Sequence, residues 1–202
     1  MNIACLDLEG VLVPEIWIEV SRRTGIAALA RTTRDEPDYD VLMRARLALL
    51  AEHGLRLSDI QSVIAGMAPM AGAHEFLDGL RAEMQVVILS DTFYEFAGPL
   101  MARLGWPTLM CHSLEIDAEG FVSAYRLRIT DPKRAAVNAF RALNFTVIAA
   151  GDSFNDTSML GAAHAGFFFC PPEAISRQFP QFPVTRDYAS LGAAIRAAAQ
   201  RA

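Results

Sequence analysis

The chain has 202 residues, 52% of them hydrophobic and 20% charged, with a net charge of −5. That length suits one globular domain with room for a subdomain and a substantial core. The acidic balance excludes a broad basic surface of the kind that contacts nucleic-acid phosphates, so no nucleic-acid partner is expected. No uncharged run approaches the ~18 residues of a membrane span, so no membrane partner is expected either. The start MNIACLDLEG has no cationic segment ahead of an apolar run, which argues against a signal peptide. The three cysteines, Cys5, Cys111 and Cys170, lie in apolar, strand-like settings and read as buried reduced thiols of a cytoplasmic protein.

In chain order, five short apolar runs are flanked by turn residues: IACLDL (3–8), VVILSDT (86–92), TLMCHSLEI (108–116), TVIAAGD (146–152) and GFFFC (166–170). Runs without polar alternation predict strands covered on both faces, as in a parallel sheet. Helix-period segments at 73–84, 92–104, 133–143 and 156–165 lie between or beside them. Phe76, Leu77 and Leu80 share one face of the first, and Asp131-Pro132 is a start signal for the third. The expected fold is therefore α/β, a doubly wound and mostly parallel Rossmann-like sheet. Residues 14–72 break the alternation. EIWIEVSRRTGIAAL, DYDVLMRARLALLAEHG and LSDIQSVIAGM read as successive helices without an intervening strand, a helical cap inserted after strand one. The core would comprise 1–13 and 73–202. FVSAYRLRI (121–129) alternates and is expected to pair with 112–117 as a hairpin. The tail YASLGAAIRAAAQRA reads as a helix packed on the sheet.

Ligands of open α/β sheets bind at the carboxyl ends of the strands. Strand one ends in Asp7-Leu8-Glu9-Gly10, the next in Ser90-Asp91-Thr92, and a later one in Gly151-Asp152-Ser153-Phe154-Asn155-Asp156; Lys133 opens a helix between them. An unpaired buried carboxylate costs several kcal/mol, so acids at strand ends need either solvent or a cation. Singly, a Ser-Asp turn is more often a cap and a lysine more often solvated. Together these groups supply the parts of a phosphoryl transfer. Asp7 and Asp152 are candidates to hold Mg²⁺, which takes oxygen ligands. Ser90 and Lys133 are candidates for the phosphoryl oxygens. One acid of the first pair attacks phosphorus while the other moves protons, given a turn at Gly10 that brings both to the substrate.

DLEGV, LSDT, Lys133 and GDSFND resemble, in order and placement, the four motifs of the haloacid dehalogenase superfamily of aspartyl-phosphate phosphotransferases. The insertion after strand one resembles the smaller cap of its phosphoserine phosphatases. The resemblance implies Asp7 as nucleophile, Glu9 as general acid/base, and Ser90 and Lys133 as phosphate binders. It implies Asp7 and Asp152 as Mg²⁺ ligands, the backbone carbonyl at Glu9 completing the metal shell, and Asp156 as a ligand or an acid supporting one. Asp91 and Asn155 would contact phosphate or substrate oxygens. The family's first motif normally reads D-x-D, and here the second acid is Glu9, one methylene longer. DLEGVLVPEIW, RDEPDYDVLM, SDTFYEF and AAGDSFNDTSML are similar to the branch of phosphoserine phosphatases that also pass phosphate from phosphoserine to homoserine, and that branch shares this Glu.

By the same resemblance, Glu15 takes the substrate ammonium and Arg46 its carboxylate, an acid and a guanidinium fork for an amino acid. Arg46 lies on a helix whose buried face is read from Val41, Leu42, Leu49 and Leu50; Tyr39 and Met43 are further candidates to line the pocket. Without the resemblance, Glu15 would be an ordinary first-turn acid. No chemistry is assigned to His53, His74, His112 or His164. A homodimer is the weakly favoured assembly. A phosphatase of another small phosphomonoester stays open as an alternative, as does a phospho-aspartate receiver-like domain, against which the cap and the chain length argue.

Overall fold

The computed structural model describes residues 1–201 apart from 34 and 37. The RDEPDYDVLM stretch is therefore described except for Arg34 and Pro37, and the tail helix except for Ala202, which lie outside the described residues. The sheet begins with β1 (Asn2–Leu6), β2 (Gln85–Phe93) and β3 (Thr108–Ile116). It continues with β4 (Val122–Arg126), β5 (Thr146–Gly151), β6 (Ala165–Phe169) and β7 (Val184–Thr185). These seven strands form one sheet in the order β4-β3-β2-β1-β5-β6-β7. All neighbours are parallel except β3 and β4, which pair antiparallel through Leu114–Tyr125 and Glu115–Ala124. The expected α/β fold and the hairpin are both present.

Strand β1 explains the double burial. Ala4 and Leu6 pack into one apolar cluster, and Ile3 and Cys5 into a second on the opposite face, as the two-residue period requires. Full burial of a Leu or Ile side chain contributes about 1.5–3 kcal/mol, so a register slip of one residue would exchange the two sets and is strongly disfavoured.

Helices α1 (Ile16–Thr24), α2 (Tyr39–Glu52) and α3 (Leu57–Ala65) follow β1, with a 3₁₀ turn at Ala27–Ala30. Their Leu29, Leu50, Ile60 and Ile64 belong to the same apolar cluster as Ala4 and Leu6. The remaining helices are α4 (Ala73–Arg81), α5 (Tyr94–Arg103), α6 (Pro132–Ala142), α7 (Thr157–Ala162), α8 (Glu173–Gln178) and α9 (Tyr188–Gln200). The tail helix α9 buries Leu191, Ile195 and Ala198, and the Tyr188 hydroxyl at its start donates to Val11 O at 2.6 Å. Among the described residues, no helix is long and apolar enough to cross a membrane.

Three expectations need correction. Val41 was read on the buried face of α2 but is 48% exposed, whereas Leu42, Met43, Arg46 and Leu50 are buried; the inward stripe runs at a spacing of four through Leu42, Arg46 and Leu50, which leaves Val41 off its edge. Cys170 is exposed while Cys5 and Cys111 are buried; it follows the end of β6 in a left-handed conformation, φ 45°, so the apolar run stops one residue earlier than read. The segment after Asp156 yields only a two-turn helix, because Ala165 already enters β6.

Candidate active site

The chain leaves β1 for β2 on one side and reaches β5 on the other, so the ends of β1 and β5 flank a topological switch point, where open α/β sheets bind ligands. Asp7 immediately follows β1, its amide donating to Ala150 O of β5 at 2.9 Å. Asp152 immediately follows β5. Between β2 and β3 the register jumps: Leu89 faces Met110, but Phe93 faces His112. Ser90, Asp91 and Thr92 therefore bulge out of the ladder, a device that aims side chains at a site. Lys133 comes from the first turn of α6, after Asp131 in a left-handed conformation (φ 47°).

These elements converge. Lys133 Nζ stands 2.7 Å from Asp156 Oδ1, 2.9 Å from Asp7 Oδ1 and 3.6 Å from Asp91 Oδ2. Asp7 Oδ1 also accepts the Leu8 amide at 2.7 Å. Asp156 Oδ2 accepts the amides of Asp152 and Ser153, at 2.9 and 3.0 Å, and the Ser153 hydroxyl at 3.2 Å. Asp7, Lys133 and Asp156 are all buried. Burial and the charge of Asp156 push the Asp7 carboxyl well above its usual range, against the pull of Lys133. Burial alone would lower the Lys133 ammonium, but Asp156, Asp7 and Asp91 outweigh it and hold it well above its ordinary value. Lys133 therefore stays charged at neutral pH, a single cation facing several acids.

Carboxylate oxygens of Asp7, Asp152 and Asp156 come within 4.8 Å of one another. Buried acids this close repel unless a cation joins them, and an all-oxygen donor set suits Mg²⁺. Glu9 is not one of the three. Its Oε2 instead accepts the Ile16 amide at 2.8 Å, and burial, then Glu15, push its carboxyl up to about 7. Gly10 lets the loop close on this cluster: its φ is +76°, and a Cβ there would lie 2.5 Å from Asp152 Cγ. Gly10→Ala thus combines a left-handed penalty of about 1–2 kcal/mol with displacement of the Asp152 carboxylate. It is expected to abolish activity, whereas Gly98→Ala, with open space around it, should leave activity unchanged; parallel assays of the two check this.

Asp7, Asp152 and Lys133 line a pocket together with Ser90, Asp91, Asn155, Glu15, Trp17, Tyr39 and Arg46. Glu15 stands at the N-cap of α1 without a side-chain capping bond. Arg46 is buried; its Nη2 donates to Arg31 O at 2.6 Å, its guanidinium lies 4.6 Å above the Trp17 ring, and its Nε has no partner among the described residues. Burial lowers its pKa to about 10, against Tyr39, Glu9 and Glu15, so it remains a cation with an unused donor beside the pocket. Met43 is core, touching Arg46 Nη1 through sulfur at 3.7 Å. Trp17 was missed as a pocket residue: in the sequence it carried only helical apolar periodicity.

A family model for haloacid dehalogenase-like hydrolases matches residues 1–164. The chain belongs to the haloacid dehalogenase-like hydrolases. Within that family it is 63% identical over 191 residues to a protein named phosphoserine phosphatase ThrH from Pseudomonas aeruginosa, covering 95% of this chain and 93% of that one. It is 59% identical over 191 residues to a phosphoserine phosphatase of Pseudomonas syringae, covering 95% and 81%. Among solved structures, a phosphoserine phosphatase from T. onnurineus superposes with a TM-score of 0.74 at 24% identity, over 96% and 94% of the two chains. A phospho-aspartyl intermediate analogue of a phosphoserine phosphatase gives 0.77 at 17%, over 94% and 96%. These superpositions speak to the haloacid dehalogenase-like fold.

Proposed function

We propose that this chain is a Mg²⁺-dependent cytoplasmic phosphotransferase that takes the phosphoryl group of phosphoserine onto Asp7 and passes it to water or to homoserine. The observation that carries the reading is one pocket lined by two chemically distinct sets of groups: Asp7, Asp152 and Lys133, and Glu15 with Arg46. A phosphate would meet the first set and an amino acid's ammonium and carboxylate the second. The relative named phosphoserine phosphatase ThrH, alike over nearly the whole chain, supports the same substrate.

Asp7 and Asp152 would hold Mg²⁺ with the Glu9 carbonyl. Asp156, with both oxygens engaged by protein donors, would fix the Asp152 loop and Lys133. When bound, the ion supplies positive charge to the phosphoryl oxygens and offsets the repulsion among the acids. The Asp7 carboxylate attacks phosphorus, the serine oxygen leaves, and an aspartyl phosphate forms. Glu9, with a pKa raised to about 7, donates the proton to the departing oxygen and then takes one from the hydroxyl of water or homoserine. Ser90 and Lys133 hold the remaining phosphoryl oxygens. The helices of 14–72 act as a cap that keeps solvent from the intermediate.

Two results test the two sets of groups separately. Mg²⁺ at 100 times its Kd should stabilise the protein by about 2.7 kcal/mol, and Asp152→Asn should erase that shift in a thermal melt. Arg46→Ala should raise KM for phosphoserine about 10–100-fold, the range of a hydrogen bond to a charged group, while sparing p-nitrophenyl phosphate. Equal losses on both substrates would make Arg46 a structural residue.

A further inference from the structure

We propose that His112 on β3 is a positioning residue for the phosphoryl site, holding the Asp91 side chain and, through it, the bulged Ser90–Thr92 segment beside Lys133. The inference rests on the phosphoryl-transfer reading and deepens it. His112 is 3% exposed and sits opposite Phe93, where the β2 bulge rejoins the ladder. Its Nδ1 accepts the Arg128 amide at 3.1 Å, so in the neutral ring the proton is on Nε2. That nitrogen stands 3.7 Å from Asp91 Oδ1, while Asp91 Oδ2 stands 3.6 Å from Lys133 Nζ. The Tyr39 hydroxyl donates to the Asp91 carbonyl at 3.1 Å, and Ser90 Oγ accepts the Thr92 amide at 3.2 Å. Asp91 thus has a nitrogen facing each carboxylate oxygen just beyond hydrogen-bond distance, at 3.7 and 3.6 Å, and a hydrogen bond at its carbonyl.

An acid beside a phosphate site needs such restraint. Asp91 lines the pocket and carries the same sign as the incoming group. Released from His112, its carboxylate is free to turn toward the phosphoryl position or to draw Lys133 away from Asp7 and Asp156. Held, it stays at 3.6 Å from Lys133 while those two keep the 2.9 and 2.7 Å contacts. His112 acts through Asp91 and Lys133, equally on any phosphomonoester, whereas Arg46 faces only the amino-acid part.

The test uses two substitutions that divide the ring's contacts. His112→Asn keeps an acceptor for the Arg128 amide but falls short of Asp91; His112→Gln extends a donor toward Asp91. Binding of inorganic phosphate in Mg²⁺ is measured by calorimetry, with kcat/KM for phosphoserine and p-nitrophenyl phosphate and Tm for each protein. His112→Asn should weaken phosphate binding and lower both kcat/KM values about tenfold and by the same factor, the loss of a polar contact to the Asp91 carboxylate. His112→Gln should recover most of that loss, and in an Asp91→Asn background His112→Asn should add no further loss. Phosphate affinity unchanged in His112→Asn, or a tenfold loss persisting with Asp91→Asn, would overturn the proposal. A parent protein inert toward phosphoserine would instead overturn the substrate reading, and the phosphate titration would still decide the role of His112.

Discussion

Asp7→Asn is expected to lower turnover of phosphoserine by on the order of 10⁴-fold or more while leaving the protein folded and, in metal-free buffer, no less stable. The loss follows from removing the attacking oxygen at the end of β1. The retained stability follows from the electrostatics: burial, Asp156 and Asp152 all disfavour the ionised Asp7 and together outweigh Lys133. A neutral amide of the same shape relieves those acids and keeps an oxygen for the Leu8 amide, which the carboxylate accepts at 2.7 Å. Melts with and without Mg²⁺ alongside steady-state assays check both halves. Turnover comparable to the parent would remove Asp7 as nucleophile.

The same electrostatics set a pH dependence. In EDTA the folded Asp7, raised above its unfolded value of about 4, binds its proton more tightly than the unfolded chain does. The group therefore costs nothing below that unfolded value and progressively destabilises the metal-free fold as pH climbs toward its folded pKa. Added Mg²⁺ should flatten this slope.

Lys133→Met is expected to be the most destabilising single change in the site. It removes a buried cation from Asp7, Asp91 and Asp156, and breaking a buried pair by deleting one partner costs about 3–5 kcal/mol. The deficit should be largest at alkaline pH in EDTA. It should shrink as the acids are protonated and be partly restored by Mg²⁺, while activity stays lost because the phosphoryl oxygens have lost their ammonium. Chemical denaturation at pH 5 and pH 8, each with and without metal, separates these contributions. A loss below 1 kcal/mol under all four conditions would mean that Lys133 is not the charge balancing the acids.

The sheet was legible because residues such as Ile3, Ala4, Cys5 and Leu6 are apolar on both faces, a pattern that only a doubly covered strand accommodates. The positions of Asp7, Ser90, Lys133 and Asp152 followed, since each lies where an apolar run ends or a helix begins. What was hidden depends on contacts distant in sequence. Val41 and Arg46 share the α2 helix, and Arg46 turns inward under a contact with the Trp17 ring of α1, which lies far away in sequence. His112 acquires its orientation from the Arg128 amide beyond β4, which no local spacing encodes. The bulge at Ser90–Thr92 extends β2 to Phe93, past the point where a helix was read, because the strand resumes opposite His112. The Glu9 side chain reaches the Ile16 amide at the start of α1, a contact across seven residues that no strand or helix period encodes.

The most direct measurement is an incubation of the purified protein with phosphoserine and Mg²⁺, with and without homoserine, counting serine, free phosphate and phosphohomoserine separately. The account predicts serine release in both reactions, with phosphohomoserine appearing at the expense of free phosphate when homoserine is present, as a shared aspartyl phosphate requires. Free phosphate alone in both reactions would contradict the transfer to homoserine, and no release of serine in either would contradict the phosphoserine reading itself.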